Sequence, residues 1–263
     1  MAMVCPLYSG SSGNATFVGD SDGGILVDVG VSCRAVKTGL ESIGQSLNQI
    51  HAIFITHEHI DHIRGLKVLL KNYRIPLFAS AGTLDFLEQN DYLSAGCDVS
   101  VITPDGQYIH DMRITPFHTP HDAAESMGFS VKTENGRRIC IATDLGFITD
   151  EVRDNLCGSD LVVLESNYDK RMLECGGYPY YLKRRILGQT GHLSNEHCAE
   201  ELCYLAANGT TRFFLAHLSR ENNVPELALQ TAMAALTCGG FEFGTDYLLE
   251  VASRNAPSRP MLL

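Results

Sequence analysis

The chain lacks the signals that mark membrane, secreted, fibrous and disordered proteins. No stretch of its 263 residues approaches 18 uncharged apolar residues, which excludes a transmembrane helix. Met1–Gly10 has no basic segment followed by an apolar run, so no signal peptide is expected. Internal repeats, Ser/Pro-rich linkers and charge blocks are missing too. One continuous domain over residues 1–263 is the expectation. Glycine and proline are near average and without period, which rules out a collagen-like chain. The nine cysteines form no Cys-x-x-Cys pair, so a zinc-thiolate site is disfavoured. An odd count without an export signal reads as reduced, mostly buried thiols in a cytoplasmic protein.

Apolar residues make up 44% of the chain and charged residues 19%, enough for a large core and too little charge for disorder. The formal net charge of −11 argues against nucleic-acid binding driven by a general positive field. It leaves room for a local basic strip, and two bound divalent metals would add four positive charges.

Strands are expected at Val4–Tyr8, Ala15–Val18, Gly24–Val29, His51–Thr56 and Leu77–Ala79. A second group covers Val99–Ile102, Gln107–Thr115, Met127–Thr133 and Arg138–Thr143, with an Asn135-Gly136 hairpin between the last two. Leu161–Glu165 and Arg212–Ala216 follow, and Phe241–Val251 closes the set. Helices are expected from Ser32 to Ile43, and over Arg64–Asn72, Gly82–Gln89, Tyr178–Leu187, Asn195–Asn208 and Pro225–Thr237. Two strand clusters, each followed by helices, point to an α/β fold. Its architecture is a four-layer αββα sandwich of two mixed β-sheets.

The chemistry concentrates in His57-Glu58-His59-Ile60-Asp61-His62, directly after an apolar strand. A loop at a strand end can aim alternate side chains at one point. His57 and His59 can share one metal while Asp61 and His62 face a second; imidazole with carboxylate suits Zn, Mn or Fe. Further ligands stand just past other apolar strands: His118 and His121 in Pro116–Asp122, Asp144 after Ile139–Thr143, and His217 after Phe213–Ala216.

The pattern His-x-His-x-Asp-His, then a distant His, an Asp and a final His, resembles the metallo-β-lactamase superfamily over nearly the whole chain. The segments Ser9–Asn14 (SGSSGN), His121-Asp122-Ala123, Glu165–Asp169 (ESNYD), Gly191–Asn195 (GHLSN) and Leu215–Asn223 (LAHLSRENN) narrow it. They look like the bacterial YycJ/WalJ (VicX) family, which is related to the branch containing tRNase Z and the β-CASP nucleases. The resemblance implies that His57, His59 and His121 hold one metal. Asp61, His62 and His217 would hold the other, and Asp144 would bridge them. His121 fits the His-Asp-Ala step, which leaves His118 a buried structural or supporting role. By analogy with tRNase Z, His192 is the implied general acid and Glu165 its orienting partner. The expected reaction is in-line hydrolysis of a phosphodiester by a hydroxide bridging two metals, with Asp61 accepting a hydrogen bond from it.

Tyr178–Arg185 is the one aromatic-plus-basic strip. Tyr181 there can stack a base, and Lys183, Arg184 and Arg185 can contact phosphates. Backbone N–H groups near Ser11, Ser12 and Asn14 can cradle a phosphate, and Arg220 and Asn222 follow His217 closely enough to reach substrate. The leading expectation is a DNA exonuclease of 5′ to 3′ type, its substrate inferred from the resemblance. A tRNA 3′-processing ribonuclease is weakened by the lack of a long basic, Gly-rich insertion. A small-molecule ester, thioester or lactam hydrolase is the other hydrolytic alternative. A di-iron redox protein would carry Glu where this chain has His59, and a non-catalytic scaffold would have lost ligands. No membrane partner is expected.

Overall fold

The computed structural model describes residues 1–93 and 96–263. The first half runs β1 (Met3–Tyr8), β2 (Ala15–Gly19), β3 (Gly24–Val27), α1 (Cys33–Ser42), β4 (Ile50–Phe54), α2 (Ile60–Ile63), α3 (Leu66–Asn72), β5 (Leu77–Ala79), α4 (Ala81–Gln89) and β6 (Val99–Val101). The second runs β7 (Gln107–Ile109), β8 (Met112–His118), β9 (Met127–Lys132), β10 (Arg138–Ala142), α5 (Asp150–Leu156), β11 (Leu161–Glu165), α6 (Lys170–Cys175), α7 (Tyr180–Ile186), α8 (Asn195–Ala207), β12 (Arg212–Ala216), α9 (Pro225–Cys238) and β13 (Leu248–Val251). A last strand, β14 (Met261–Leu262), returns to pair with β1.

Two seven-stranded sheets result, ordered β14-β1-β2-β3-β4-β5-β6 and β13-β12-β11-β10-β9-β8-β7. Each joins antiparallel strands to a parallel block, β3 to β6 in one and β10 to β13 in the other. The inner parallel strands, β3 to β5 and β10 to β12, are buried on both faces, which is why they read as continuous apolar runs, whereas the edge strand β6 is exposed. In β4, Ala52 and Phe54 enter the core between the sheets, beside Phe129, Ile141, Val163 and Phe214 of the second sheet. Ile53 turns the other way, onto Val36 and Leu40 of α1 and Leu69 of α3. The outer face of the second sheet packs on α5, α8 and α9 through Val162, Leu164, Phe213, Leu202, Leu205 and Leu236. This is the expected αββα sandwich. A fully buried Phe contributes roughly 1.5–3 kcal/mol, more than local propensity does, so the inter-sheet core holds the two sheets face to face.

Several elements differ from the sequence expectation. Gln107–Thr115 is not one strand: a turn at His110, with φ +51°, splits it into the β7–β8 hairpin. Phe241–Val251 pairs with β12 only from Leu248, because Gly244 at φ +84° and an Asp246 carboxylate accepting from the Glu242 N–H build a turn before it. The helix expected from Arg64 starts at Leu66 as α3, and the short α2 takes up Asp61 and His62 instead. Helix α7 begins only at Tyr180, with Pro179 at its N-cap. Helices α5 and α6 arise from caps at Thr149 and Asp169, whose side chains accept from Val152 N–H and Met172 N–H. His118 is exposed rather than buried, one step past the inward Phe117 on β8. All nine cysteines are free, but only Cys5, Cys140 and Cys198 are buried, and Cys175 and Cys238 are exposed. Among the described residues no helix is long and apolar enough to cross a membrane.

The parallel blocks position the site. Open α/β sheets bind ligands outside the carboxyl ends of their strands. Asp28 follows β3, Thr56 to His62 follow β4, Asp144 follows β10, Glu165 ends β11 and His217 follows β12.

Candidate metal centre

Three of these positions have left-handed backbone: Asp28 at φ +65°, Asp144 at +59° and His217 at +56°. Non-glycine residues held there cost of order 1–3 kcal/mol and recur where the surroundings impose the conformation. Here each turns the chain off a strand end and points its side chain over the edge of the sandwich. Gly30 makes a close approach possible: a Cβ there would lie 1.6 Å from the Asp61 carbonyl oxygen. The Gly30 N–H donates to Asn14 O, and the Asn14 N–H donates to Asp61 O, so three loops close on one another.

The potential ligand atoms fall into four overlapping groups, each within 4.8 Å: His57, His59 and His121; Asp61, His62 and His217; Asp144 with His57 and His62; and Asp144 with Glu165, His192 and His217. His121 Nε2 stands 3.3 Å from His59 Nδ1, and His217 Nε2 stands 3.4 Å from Asp61 Oδ2. Asp144 lies between the groups, with Oδ2 3.3 Å from His62 Nε2 and Oδ1 3.7 Å from His121 Nε2. His57, His62, Asp144 and His217 are buried almost completely.

Supporting acceptors set which nitrogen each imidazole presents. His62 Nδ1 donates to Asp28 Oδ2 at 2.7 Å, and His121 Nδ1 donates to Gly191 O at 3.0 Å. Thr56 Oγ1 bonds both Asp28 oxygens and lies 3.0 Å from His57 Nδ1. His217 Nδ1 donates to Glu165 Oε1 at 2.8 Å. Each of these four rings therefore turns Nε2 toward the centre, the arrangement that ligating histidines need. His57 Nε2 and Asp144 Oδ2 are buried with no hydrogen-bond partner. Orphaned acceptors are costly in a dry interior, and a cation beside both would satisfy them. The imidazole and carboxylate donors fit two divalent ions.

The protonation balance agrees. Burial opposes charge on His62, but Asp28 and Asp144 hold its imidazolium well above the usual range. Burial likewise opposes charge on His217, and Asp144, Asp61 and Glu165 outweigh it, raising it to about 10. Burial and the neighbouring His62 push His57 well below its usual value. For Asp144, burial is overcome by His217 and His62, which hold the carboxyl well below the ordinary range. Clustered carboxylates thus draw positive charge into the pocket, and in the protein alone protons answer that demand.

Glu165 is fully buried and fully bonded. Its Oε1 accepts from His192 Nδ1 and His217 Nδ1, both at 2.8 Å, and its Oε2 accepts from the Leu145 and Leu193 N–H groups at 3.0 Å. One carboxylate therefore orients both His217 and His192. The His192 side chain keeps 15% of its exposure, and its Nε2 is free to face a substrate.

The expected substrate residues divide. Ser11 and Ser12 are exposed on the loop between β1 and β2. The Asn14 N–H is not free to cradle a phosphate, because it donates to Asp61 O, and the Asn14 side chain is engaged too, with Oδ1 accepting from Gly10 N–H and Nδ2 3.1 Å from His62 Nε2. Tyr181 is 75% exposed on α7, and Arg184 is exposed. Lys183 donates to Glu174 O, and Arg185 forms a two-pronged pair with Asp122. Arg220 is exposed beside Glu221. Asn222 is buried, with its N–H on Ser219 Oγ and its carbonyl accepting from Asp169 N–H, so it braces a loop and cannot reach a substrate.

Sequence reasoning missed Asp28 and Thr56, which fell inside the expected strands Gly24–Val29 and His51–Thr56, and Ser9, whose Oγ accepts from His217 N–H. It also missed a buried polar knot beneath Glu165. Asn223 Nδ2 reaches Ser166 O, Asn167 O and Asn195 Oδ1, and Asn167 Nδ2 donates to His217 O at 2.7 Å. The knot ties together the segments that carry Glu165, His192 and His217. Buried asparagines spaced this way in ESN, LSN and ENN were its only signal.

Residues 24–218 match the family described as Beta-lactamase superfamily domain. The chain is 33% identical over 262 residues to exodeoxyribonuclease YycJ of Bacillus anthracis, covering 96% of each chain. It is 34% identical over 244 residues to exodeoxyribonuclease WalJ of Streptococcus pneumoniae, covering 92% of this chain and 90% of that one. Its fold is similar to that of the metallo-β-lactamase fold protein YhfI from Bacillus subtilis. That structure aligns with a TM-score of 0.72 and 14% identity over 98% of both chains. The chain belongs to the metallo-β-lactamase superfamily of metal-dependent hydrolases, within its YycJ/WalJ family.

Proposed function

We propose that this protein is a dinuclear phosphodiesterase that degrades DNA from an end, of 5′ to 3′ type. The observation that carries the reading is the single buried carboxylate of Glu165 shared by His192 and His217. A phosphodiester releases an alkoxide that needs a proton, and His192 stands beside the ligand cluster with a nitrogen to give it. A positioned general acid contributes about 10²–10⁴-fold. The names of the YycJ and WalJ relatives support DNA as the polymer.

His57, His59 and His121 would hold one cation, Asp61, His62 and His217 the other, and Asp144 both. Zn, Mn and Fe each suit these donors. When bound, the two cations activate the attacking water and neutralise charge on the phosphate oxygens. The chain supplies the rest. Asp61 accepts a hydrogen bond from the nucleophile, and His192 protonates the leaving oxygen while Glu165 fixes its tautomer. Tyr181 and Arg184 present an exposed ring and cation on α7, and Ser11, Ser12 and Arg220 are exposed on their loops; in this reading they contact the substrate.

The test is hydrolysis of linear duplex DNA labelled at either end by protein loaded with Mn²⁺ or Zn²⁺. Release of nucleotides from the 5′ end is expected, abolished in Asp61→Ala and reduced in His192→Ala. Hydrolysis of bis-p-nitrophenyl phosphate without any cleavage of DNA would refute the DNA substrate, and RNA would be tried next.

A further inference from the structure

Beside the metal ligands lies an ion pair that the chemistry so far does not use. Arg185 of α7 donates from Nε to Asp122 Oδ2 at 2.5 Å and from Nη2 to Asp122 Oδ1 at 2.9 Å. Asp122 follows the ligand His121 directly, and its Oδ1 is only 3.4 Å from His121 Nε2. The guanidinium is therefore two contacts from the nitrogen that faces the metal pocket. It is half-exposed, so solvent and ligands reach it. Among the described residues it is the one Lys or Arg paired with a carboxylate adjacent to a metal ligand.

The surroundings hold this cation in a defined place. The Asp122 N–H donates to Thr190 O, and His121 Nδ1 donates to Gly191 O. The loop after α7 is thus stitched to the loop that carries His121 and Asp122, and it leads straight into His192. A would-be Cβ on Gly191 would sit 2.2 Å from Ile186 O, so the loop turns tightly against the end of α7. Arg185 is accordingly fixed at both its backbone and its guanidinium, at the rim of a pocket crowded with carboxylates. A fork held this way suits the oxygens of a phosphate.

We propose that Arg185 anchors the phosphate next to the scissile one, and that Asp122 holds the guanidinium in place until substrate arrives. The scissile phosphate belongs to the metals. The neighbouring phosphate of a polynucleotide needs its own cation, and a small diester has no such group. On binding, the guanidinium keeps its position and shares or exchanges its two N–H donors from Asp122 to phosphate oxygens. This inference rests on the nucleic-acid reading above and adds a basis for preferring a polymer over an isolated diester.

The experiment compares metal-loaded wild type with Arg185→Ala, Arg185→Lys and Asp122→Asn, with metal content measured for each. Substrates are end-labelled DNA and bis-p-nitrophenyl phosphate. On DNA, Arg185→Ala should raise KM about 10-fold or more, as loss of a charge-assisted contact does, with a much smaller change in kcat. Its loss on bis-p-nitrophenyl phosphate should be far smaller. The slope of log kcat/KM against log salt should flatten by about 0.7–0.9, the contribution of one phosphate contact. Arg185→Lys should restore the slope but only part of KM, and Asp122→Asn should leave the slope at its wild-type value. If Arg185→Ala and Asp122→Asn weaken both substrates alike and lose metal, the pair is only a clamp and the inference is overturned. It is overturned alone if wild type degrades DNA and Arg185→Ala matches it. Wild type that hydrolyses the small diester but no DNA overturns the nucleic-acid reading, and the anchor with it.

Discussion

Changing Glu165 to Gln keeps the volume of the side chain and removes its charge. In the native arrangement two imidazole N–H groups point at one oxygen and two backbone N–H groups at the other. A carboxamide offers one acceptor oxygen and one NH₂. Whichever way it sits, the NH₂ opposes two donors. If it faces Leu145 and Leu193, two buried N–H groups lose their acceptor, at about 1–3 kcal/mol each. If it faces the histidines, His192 and His217 lose the acceptor that sets their tautomers. Loss of such an outer partner typically weakens metal binding 10–100-fold, and a misoriented general acid forfeits part of its 10²–10⁴-fold contribution. In either orientation the negative charge that both imidazoles face is gone, so Glu165→Gln should weaken the ion at Asp61, His62 and His217 by about 10–100-fold. The ion at His57, His59 and His121 should change far less. With both sites saturated, turnover of bis-p-nitrophenyl phosphate should still fall by about 10²-fold. Calorimetric metal titration and steady-state kinetics read the two effects separately. Wild-type affinity at both sites with turnover within about twofold would refute the role given to Glu165.

Three further outcomes follow from the same geometry. Asp28→Asn should weaken metal binding through His62 by about 10–100-fold while the fold persists, read by metal titration alongside circular dichroism. With His217 raised to about 10 and His62 raised well above the ordinary range, both carry protons at pH 7 in the metal-free protein. Binding two metals should then release about two protons at pH 7, and affinity should rise with pH until those raised values are passed. Calorimetry in buffers of contrasting ionisation enthalpy measures the release, and a value near zero would contradict it. Gly30→Ala drives a methyl into the Asp61 carbonyl oxygen, so the Asn14–Gly30–Asp61 junction must open. Stability should drop by about 1–3 kcal/mol or more in urea unfolding, with the ion at Asp61 lost first.

The fold was legible where burial is two-sided. β4 and β10 to β12 are continuous apolar runs, and their ends carry the densest histidine and aspartate pattern in the chain. Short or capped elements were harder. β14 pairs over only two residues, Met3 with Leu262 and Val4 with Met261, too few to show a period. Helices α5 and α6 had readable caps at Thr149 and Asp169 but few apolar repeats behind them. His118 is a misreading that period two would have caught, since Phe117 points inward and its neighbour must point out. In the site, residues that offer donors to a centre share a motif and are visible in the sequence. Residues that orient those donors are scattered: Asp28, Thr56, Ser9 and Asn223 look like turn or strand-end residues until the loops close on one another. Asn14 and Asn222 mislead for the same reason, because an amide in a polar loop reads alike whether it faces a ligand or braces a ligand's neighbour.

The central claim is a two-cation centre built by seven side chains from both sheets. Crystals of the Mn²⁺- or Zn²⁺-loaded protein, measured at the metal's absorption edge, test it most directly. Two anomalous peaks are predicted about 3.5–4 Å apart. One would lie among His57, His59 and His121, the other among Asp61, His62 and His217, with Asp144 touching both. A single peak, or peaks away from Asp144, would contradict the account.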